Sequence, residues 1–331
     1  MGVTGGNGLL GRAVAAGLVG RGHTPVSIDL QTSEVHNNID QRVADVRKPK
    51  QLTDAFIDLD AVVHTASLVD LHLGTPTQLR EVNVVGAKNT IDACRANGIS
   101  TLVYMSSAEV ISGTEPLRGV TEDDVTYPSP QLTYYGTTKQ AAEQLILEAA
   151  DSSLGTCAMR TYGLFGPGDN TVVPLYLRST PTKTVMTMSD RQARTDMVYA
   201  PNLAHCLILA AEQLTPETDW SGTPFHVTDG ESVNVQEFLS VLVEPLRYRL
   251  SDQAIPRSAL QGIARFYKLL YDVTKAERFA RPPITDHKLR LALDDYSLDS
   301  TKASTLLGYE APVSRPEAIA TTQEWIVQTF S

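Results

Sequence analysis

The chain has 331 residues, an ordinary hydrophobic content of 42% and a formal net charge of −10. That length and apolar share predict one large α/β domain with a smaller part attached. The acidic balance, with no basic cluster, excludes nucleic acid as a partner.

The N-terminus reads Met-Gly-Val-Thr-Gly-Gly-Asn-Gly-Leu-Leu-Gly. Only Met1 to Val3 remain for a first strand, so either that strand is short or the true start lies upstream; no signal peptide is expected. Gly5, Gly8 and Gly11 follow this β-like run and precede a helical stretch, Leu9 to Val19. Glycines at that spacing allow a tight turn and bring backbone close to a pyrophosphate, with the first helical N–H groups facing the anion. A second apolar run, Pro25 to Ile28, ends at Asp29. A carboxylate at this strand tip accepts both hydroxyls of an adenosine ribose and repels a 2′-phosphate. No arginine follows it to offset that repulsion, so NAD is the expected cofactor.

Strand-like and helix-like runs then alternate, as in a Rossmann-type doubly wound parallel sheet. Ile39 to Ala44 reads as a third strand, Lys48 to Phe56 as a helix and Asp60 to His64 as a buried strand. Thr65, Ala66 and Ser67 follow, small enough to leave room for a cofactor at the strand's carboxyl end. His64 is read as a satisfied strand-end residue rather than a site residue. Glu81 to Asn97 predicts a long helix stopped by Gly98, Thr101 to Met105 a strand running into Ser106 and Ser107, Tyr134 to Ala150 a helix and Thr156 to Arg160 a sixth strand. On that helix Tyr135 and Lys139 stand four residues apart and share a face. A free phenol keeps its proton at neutral pH, and a cation beside it lowers its pKa. The pair can trade a proton with an alcohol or carbonyl if something else carries hydride.

Beyond Tyr162 the pattern changes. Gly163 to Asp169 is turn-rich. Val198 opens a short strand before a helix, Pro201 to Ala211, and Phe225 to Val227 reads as a further strand of the large sheet. Helices are expected at 234–247 and 258–278, a linker around Arg281-Pro-Pro283 and a last helix from Pro316. The division predicted is residues 1–162, with 197–228 returning to it, for the cofactor, and 163–196 with 229–331 for the substrate. Leu260, Ile263, Tyr267 and Leu270 share a face that is expected to pack over a substrate pocket, and no stretch is apolar enough for a membrane span. Cys94, Cys157 and Cys206 lie in apolar segments, an odd, scattered set that suits buried thiols in a reducing, cytoplasmic setting. Neither they nor the seven histidines have metal-ligand spacing, so no metal is expected.

Taken jointly, Thr4-Gly-Gly-Asn-Gly-Leu-Leu-Gly11, Asp29, Asp45-Val46, His64-Thr-Ala-Ser67, Asn83-Val-Val-Gly86, Ser106-Ser107, Tyr135-Gly-Thr-Thr-Lys139 and Gly166-Pro-Gly-Asp169 resemble the extended short-chain dehydrogenase/reductase superfamily over nearly the whole chain. Ser-Ser-Ala-Glu-Val110, Asp196-Met-Val-Tyr-Ala-Pro-Asn202, Gly222-Thr-Pro-Phe-His-Val-Thr228 and Leu-Gly-Tyr309 look like the 3β-hydroxysteroid dehydrogenase/isomerase family within it, with the flavour of sterol-4α-carboxylate 3-dehydrogenases. The chain departs from eukaryotic members near 255–280, where a charged amphipathic helix replaces a long apolar membrane segment.

The resemblance implies an NAD-dependent oxidoreductase that interconverts a secondary alcohol and a ketone on a hydrophobic, steroid- or sterol-like substrate, with C4 decarboxylation as an accompaniment that needs no extra catalytic residue. It implies Tyr135 as general acid–base, Lys139 as the cation that depresses the phenol's pKa and holds the nicotinamide ribose, and Ser107 (Ser106 as runner-up) on the substrate oxygen. Asn83 has two readings, a proton-relay residue and a plain helix cap. Asn7, Leu9 and Leu10 would join the glycines at the pyrophosphate, Asp45 would accept the adenine amino group with Val46 on the ring, Ala66 would line the crevice, and Thr161 and Tyr162 would meet the nicotinamide. Tyr134 is read as a packing residue. A homodimer through the helices Glu81–Asn97 and Tyr134–Ala150 and a peripheral membrane contact are compatible with the family. The alternative within the superfamily is a nucleotide-sugar epimerase or dehydratase, or another ketone reductase, for which Arg178, Arg191 and Arg194 are candidate diphosphate ligands. A third reading, a catalytically silent redox sensor, conflicts with the presence of both Tyr135 and Lys139.

Overall fold

The structure is a computed structural model that describes residues 1–69, 75–180, 182–188, 193–274 and 293–331. The linker expected around 281–283 and the end of the helix expected at 258–278 lie outside these residues. The expected doubly wound sheet is present. Its first strand, β1 (Gly2–Thr4), has three residues. It pairs on one side with β2 (Val26–Asp29), which pairs with β3 (Asp40–Val43). On the other side it pairs with β4 (Ala61–His64), followed by β5 (Thr101–Met105), β7 (Gly155–Arg160) and β11 (Thr223–His226). All six pairings are parallel. The strand order therefore reverses between β1 and β4, and a crevice opens at their carboxyl ends.

Both faces of this sheet are covered, which is why its central strands are continuously apolar instead of alternating; every residue of β4 and β7 is buried. On one face α1 (Leu9–Gly20) presents Leu10, Val14 and Leu18, one side of a 3.6-residue repeat, to α7 (Ala200–Gln213). On the other face α2 (Pro49–Ala55), α4 (Gly86–Ala96) and α5 (Tyr134–Glu148) bury Leu52, Ile91, Ala142 and Ile146. Cys94, Cys157 and Cys206 are buried free thiols in these two cores, and burial pushes each thiol's pKa up.

The long helix expected from Glu81 begins five residues earlier. Thr75 and Gln78 form a reciprocal capping box and Pro76 opens α3 (Pro76–Leu79). A π-helical turn, Arg80–Val85, joins α3 to α4. Gly98, at φ +67°, follows the last turn as expected.

A second sheet contains β12 (Ser232–Val233), β10 (Thr195–Tyr199), β14 (Tyr296–Leu298) and β6 (Leu117–Val120), with β8 (Gly163–Phe165) also on β10. This corrects one expectation: within 197–228, α7 and β11 belong to the large sheet, whereas the strand before α7 pairs in the second one. Alternation and β-propensity identify a strand but not its partners. The third core lies here, where Phe165, Val173, Phe238 and Leu242 gather β8, α6 (Val172–Ser179), α8 (Val235–Val243) and the last helix, Arg315–Phe330. Asp169 starts α6 by accepting backbone N–H bonds from Thr171, Val172 and Val173 at 2.7–2.9 Å. β9 (Thr184–Met188) and β13 (Arg249–Ile255) form a separate parallel pair.

The amphipathic helix α9 (Arg257–Thr274) follows. It buries Leu260 and Ala264, while Ile263, Phe266, Leu269 and Val273 are exposed. Ile263 is thus on the outer side and not on the Leu260 face; the side chain of Tyr267 lies outside the description. Among the described residues no helix is long and apolar enough to cross a membrane.

Candidate active site

The glycine loop follows β1 directly. Gly5 has φ +69°, and a Cβ there would come within 2.8 Å of the Ala66 backbone. A Cβ on Gly11 would run into the Gly5 carbonyl. The turn therefore closes only without side chains at these two points. Asp29, at the tip of β2, accepts the backbone N–H of Asn7 at 2.9 Å and that of Leu30 at 2.7 Å. One carboxylate thus ties the glycine loop to the second strand. Leu10 is buried and Leu9 half-buried at the start of α1. The cleft above holds about 410 Å³ and is lined by Gly5, Gly8, Asp29, Val46 and Ala66 among others. A Gly-rich turn opening a helix, an acid at the next strand tip and an apolar wall fit the adenosine and pyrophosphate of a dinucleotide.

Arg47 lines the same cleft and was not foreseen. Its guanidinium is bidentate on Asp45, at 2.7–3.0 Å, and holds that carboxyl below the usual carboxylate range. The acid expected to receive the adenine amino group is therefore engaged by a neighbour two residues away. The signal for it was present in Asp45-Val-Arg47, an acid and a base one residue apart just past a strand.

At the other end of the crevice α5 supplies the pair. Thr133 caps the helix by accepting from Gly136 N–H at 2.8 Å, and its hydroxyl donates to Glu109 at 2.9 Å. Tyr135 in the first turn directs its hydroxyl toward those of Ser107 and Ser67. Ser107, not Ser106, meets Tyr135; the Ser106 hydroxyl is buried without a partner. Asn83 lies in the π-helical turn, fully buried. Its amide donates to the Leu68 carbonyl and to Thr138 Oγ1, and its oxygen accepts from Ser67 Oγ and Leu68 N–H, all at 2.8–3.1 Å. It caps no helix. It binds the strand-end loop at Ser67 and Leu68 to the helix carrying Tyr135, and a π-turn at this point suits a functional position. Ser67, expected only as a small residue at the crevice, and Glu109, given no role in the sequence, are both neighbours of Tyr135.

Lys139 is buried. Its Nζ donates to the Met105 carbonyl at 2.6 Å and sits 4.3 Å from the centre of the Tyr104 ring. Burial pulls its pKa down to about 7, with the Glu143 carboxylate pushing the other way. Burial and Glu109 raise the Tyr135 phenol, against the two serine hydroxyls. The Lys139 ammonium is turned toward the Met105 carbonyl, and the groups that lower the phenol here are the hydroxyls of Ser107 and Ser67.

Thr161 and Tyr162 follow β7. The Thr161 hydroxyl is buried without a partner, and Tyr162 shares a hydrogen bond with Ser112 at 3.0 Å. His64 shares a 2.6 Å bond with Thr4 and stacks on Tyr104; burial drops its pKa to about 3, so it stays neutral. Tyr134, expected to pack, is 63% exposed because its direction on α5 leads away from the sheet. Among the described residues no group of acids, histidines or cysteines could hold a metal.

A parallel sheet of order 3-2-1-4-5, a glycine turn on β1 and a Tyr-x-x-x-Lys helix define an extended short-chain dehydrogenase/reductase. The chain belongs to the 3-beta hydroxysteroid dehydrogenase/isomerase family, whose family model matches residues 2–257. It is 30% identical, over 96% of both chains, to a 2-alkyl-3-oxoalkanoate reductase of Stenotrophomonas maltophilia. It is 29% identical to the mouse decarboxylating sterol-4-alpha-carboxylate 3-dehydrogenase, over 99% of this chain and 90% of the relative. Among solved structures, MoeE5 in complex with UDP-glucuronic acid and NAD superposes with a TM-score of 0.75 at 22% identity over 99% of both chains, a likeness of fold. The protein is thus an oxidoreductase of the 3β-hydroxysteroid dehydrogenase type.

Proposed function

We propose that the chain uses NAD to interconvert a secondary alcohol and a ketone on a neutral-bodied hydrophobic substrate of the 3β-hydroxysteroid or sterol class. The observation that carries this reading is the Tyr135 hydroxyl directed toward Ser107 and toward Ser67, which lines the cleft opened by the glycine loop, with Lys139 buried one turn along α5. Bound NAD supplies the hydride acceptor or, when reduced, the donor. In oxidation Tyr135 takes the hydroxyl proton while Ser107 holds the substrate oxygen; in reduction Tyr135 returns the proton. Residues 1–162 with α7 and β11 carry the cofactor in this reading, and 163–196 with 229–331 select the alcohol.

Asp29 supports NAD over NADP: a 2′-phosphate would meet its carboxylate, and the guanidinium of Arg47 is committed to Asp45. A panel of 3β-hydroxysteroids, 4-carboxysterols and nucleotide sugars, each with NAD and NADP, tests the proposal through NAD(P)H absorbance and CO₂ release. Turnover of a steroid or carboxysterol with NAD is expected. Turnover confined to UDP- or dTDP-sugars would overturn it in favour of the epimerase or dehydratase reading; Arg178 and Arg194, two candidate ligands for that chemistry, are exposed, and Arg191 lies outside the described residues.

The outer face of α9 supports a peripheral contact with lipid. Ile263, Phe266, Leu269 and Val273 are 39–74% exposed along one stripe, with the exposed Arg265 on the neighbouring face. Co-sedimentation with phosphatidylglycerol vesicles, lost in Phe266→Asp, is the expected result. No binding by the unaltered chain removes this part of the reading.

A further inference from the structure

We infer that Glu109 and Gln131 are positioning residues: they brace the turn that carries Ser107 against the first two turns of α5, and so fix the Ser107 and Tyr135 hydroxyls on one substrate oxygen. The purpose of the brace rests on the dehydrogenase reading; its existence does not. Ser107 follows β5 and Tyr135 opens α5, but the chain between them leaves for the second sheet at β6 and returns. Neighbours in sequence therefore do not set the distance between the two hydroxyls. Contacts across the gap do.

The first contact is made by Glu109. Ser107 caps a 3₁₀ turn, Ala108–Ile111, by accepting the Glu109 N–H at 3.2 Å. The Glu109 carboxylate accepts the Thr133 hydroxyl at 2.9 Å, and the oxygen of that hydroxyl accepts the Gly136 N–H at 2.8 Å. The Ser107 side chain is thus tied, through Glu109, to the N-cap of the helix two positions before Tyr135. The second contact is made by Gln131. Its amide donates to the Val110 carbonyl at 2.6 Å and to Gln140 Oε1, in the second turn of α5, at 2.7 Å. Gly136 lies against both: a Cβ there would come within 2.9 Å of Gln131 Oε1 and 3.1 Å of Thr133 Oγ1. The glycine after Tyr135 lets the two turns approach this closely. Glu109, Gln131, Thr133 and Gln140 are all half-buried. Side-chain hydrogen bonds of this kind add little net stability, whereas a misplacement of about 1 Å at a reacting centre costs about 10²-fold in rate. Placement is the larger effect of these contacts.

The test is Glu109→Ala, with two readouts. Amide hydrogen exchange in the cofactor-free chain should rise severalfold in residues 133–139, a segment to which position 109 does not belong. In the reduction direction kcat should fall about 10- to 100-fold, while NADH affinity, read by fluorescence titration, stays within a few-fold of the parent. Glu109→Gln keeps an oxygen that accepts from Thr133 and should return kcat to near the parent value. In a Ser107→Ala background, Glu109→Ala should add little, because the hydroxyl it places is gone. Where Glu109→Ala does not fold, Gln131→Ala decides by the same readouts. Unchanged exchange in 133–139, equal losses in the Ala and Gln variants, or a fully additive loss in the Ser107→Ala background overturns the inference. A parent chain that turns over nothing in the steroid and sugar panel is instead a failure of the dehydrogenase reading, and hydrogen exchange still decides the brace.

Discussion

Tyr135→Phe is expected to lower kcat by about 10²–10⁴-fold, the usual contribution of a positioned general acid–base. The ring stays, so the packing of the first turn of α5 stays with it. What is lost is one hydroxyl and its interactions with Ser107 and Ser67, at a cost of about 1 kcal/mol in stability. NAD affinity should therefore hold within a few-fold, because the glycine loop and Asp29 are at the other end of the crevice. The measurement is kcat and KM for the substrate found in the panel, beside NADH fluorescence titration. A variant that binds cofactor and turns over within twofold of the parent would remove Tyr135 from the chemistry. The sign of the pH dependence adds a second check. Burial and Glu109 raise the phenol, so its proton is held through neutral pH. Reduction, which needs that proton, should be flat across neutrality, and oxidation, which needs the phenolate, should rise with pH.

The parts of this site that were legible in the sequence are those set by backbone necessity or by spacing on one element. Gly5 and Gly11 are required by a turn whose own atoms leave no room for a Cβ. Asp29 is marked by ending an apolar run. Tyr135 and Lys139 share a face by helical geometry alone. What was not legible arises from packing between elements. The four hydrogen bonds of Asn83 depend on a π-helical turn, which a 3.6-residue repeat does not announce, and on the loop after β4 meeting α5. The depressed Lys139 follows from burial on Tyr104, visible only once β5 and α5 are packed. A short strand at Val198 is legible in the sequence, but its extent, Thr195–Tyr199, and its membership of the second sheet depend on partners in β12 and β14, far along the chain. On α9 the spacing suggests a single apolar face, whereas the helix carries two, one buried at Leu260 and Ala264 and one exposed at Phe266 and Leu269.

Arg160→Met should destabilise the protein by about 3–5 kcal/mol, the range for leaving one member of a buried ion pair uncompensated. Arg160 and Glu143 are 4% and 0% exposed, and Tyr127 alone cannot replace the three donor contacts that Arg160 makes to the Glu143 carboxylate. Removing both partners, in Arg160→Met with Glu143→Gln, leaves no buried charge to desolvate and should recover most of that loss. Urea unfolding of the parent, the two single variants and the double variant gives the coupling directly, as a midpoint shift at constant slope. Additive single effects would mean that the pair is not energetically coupled despite its contacts.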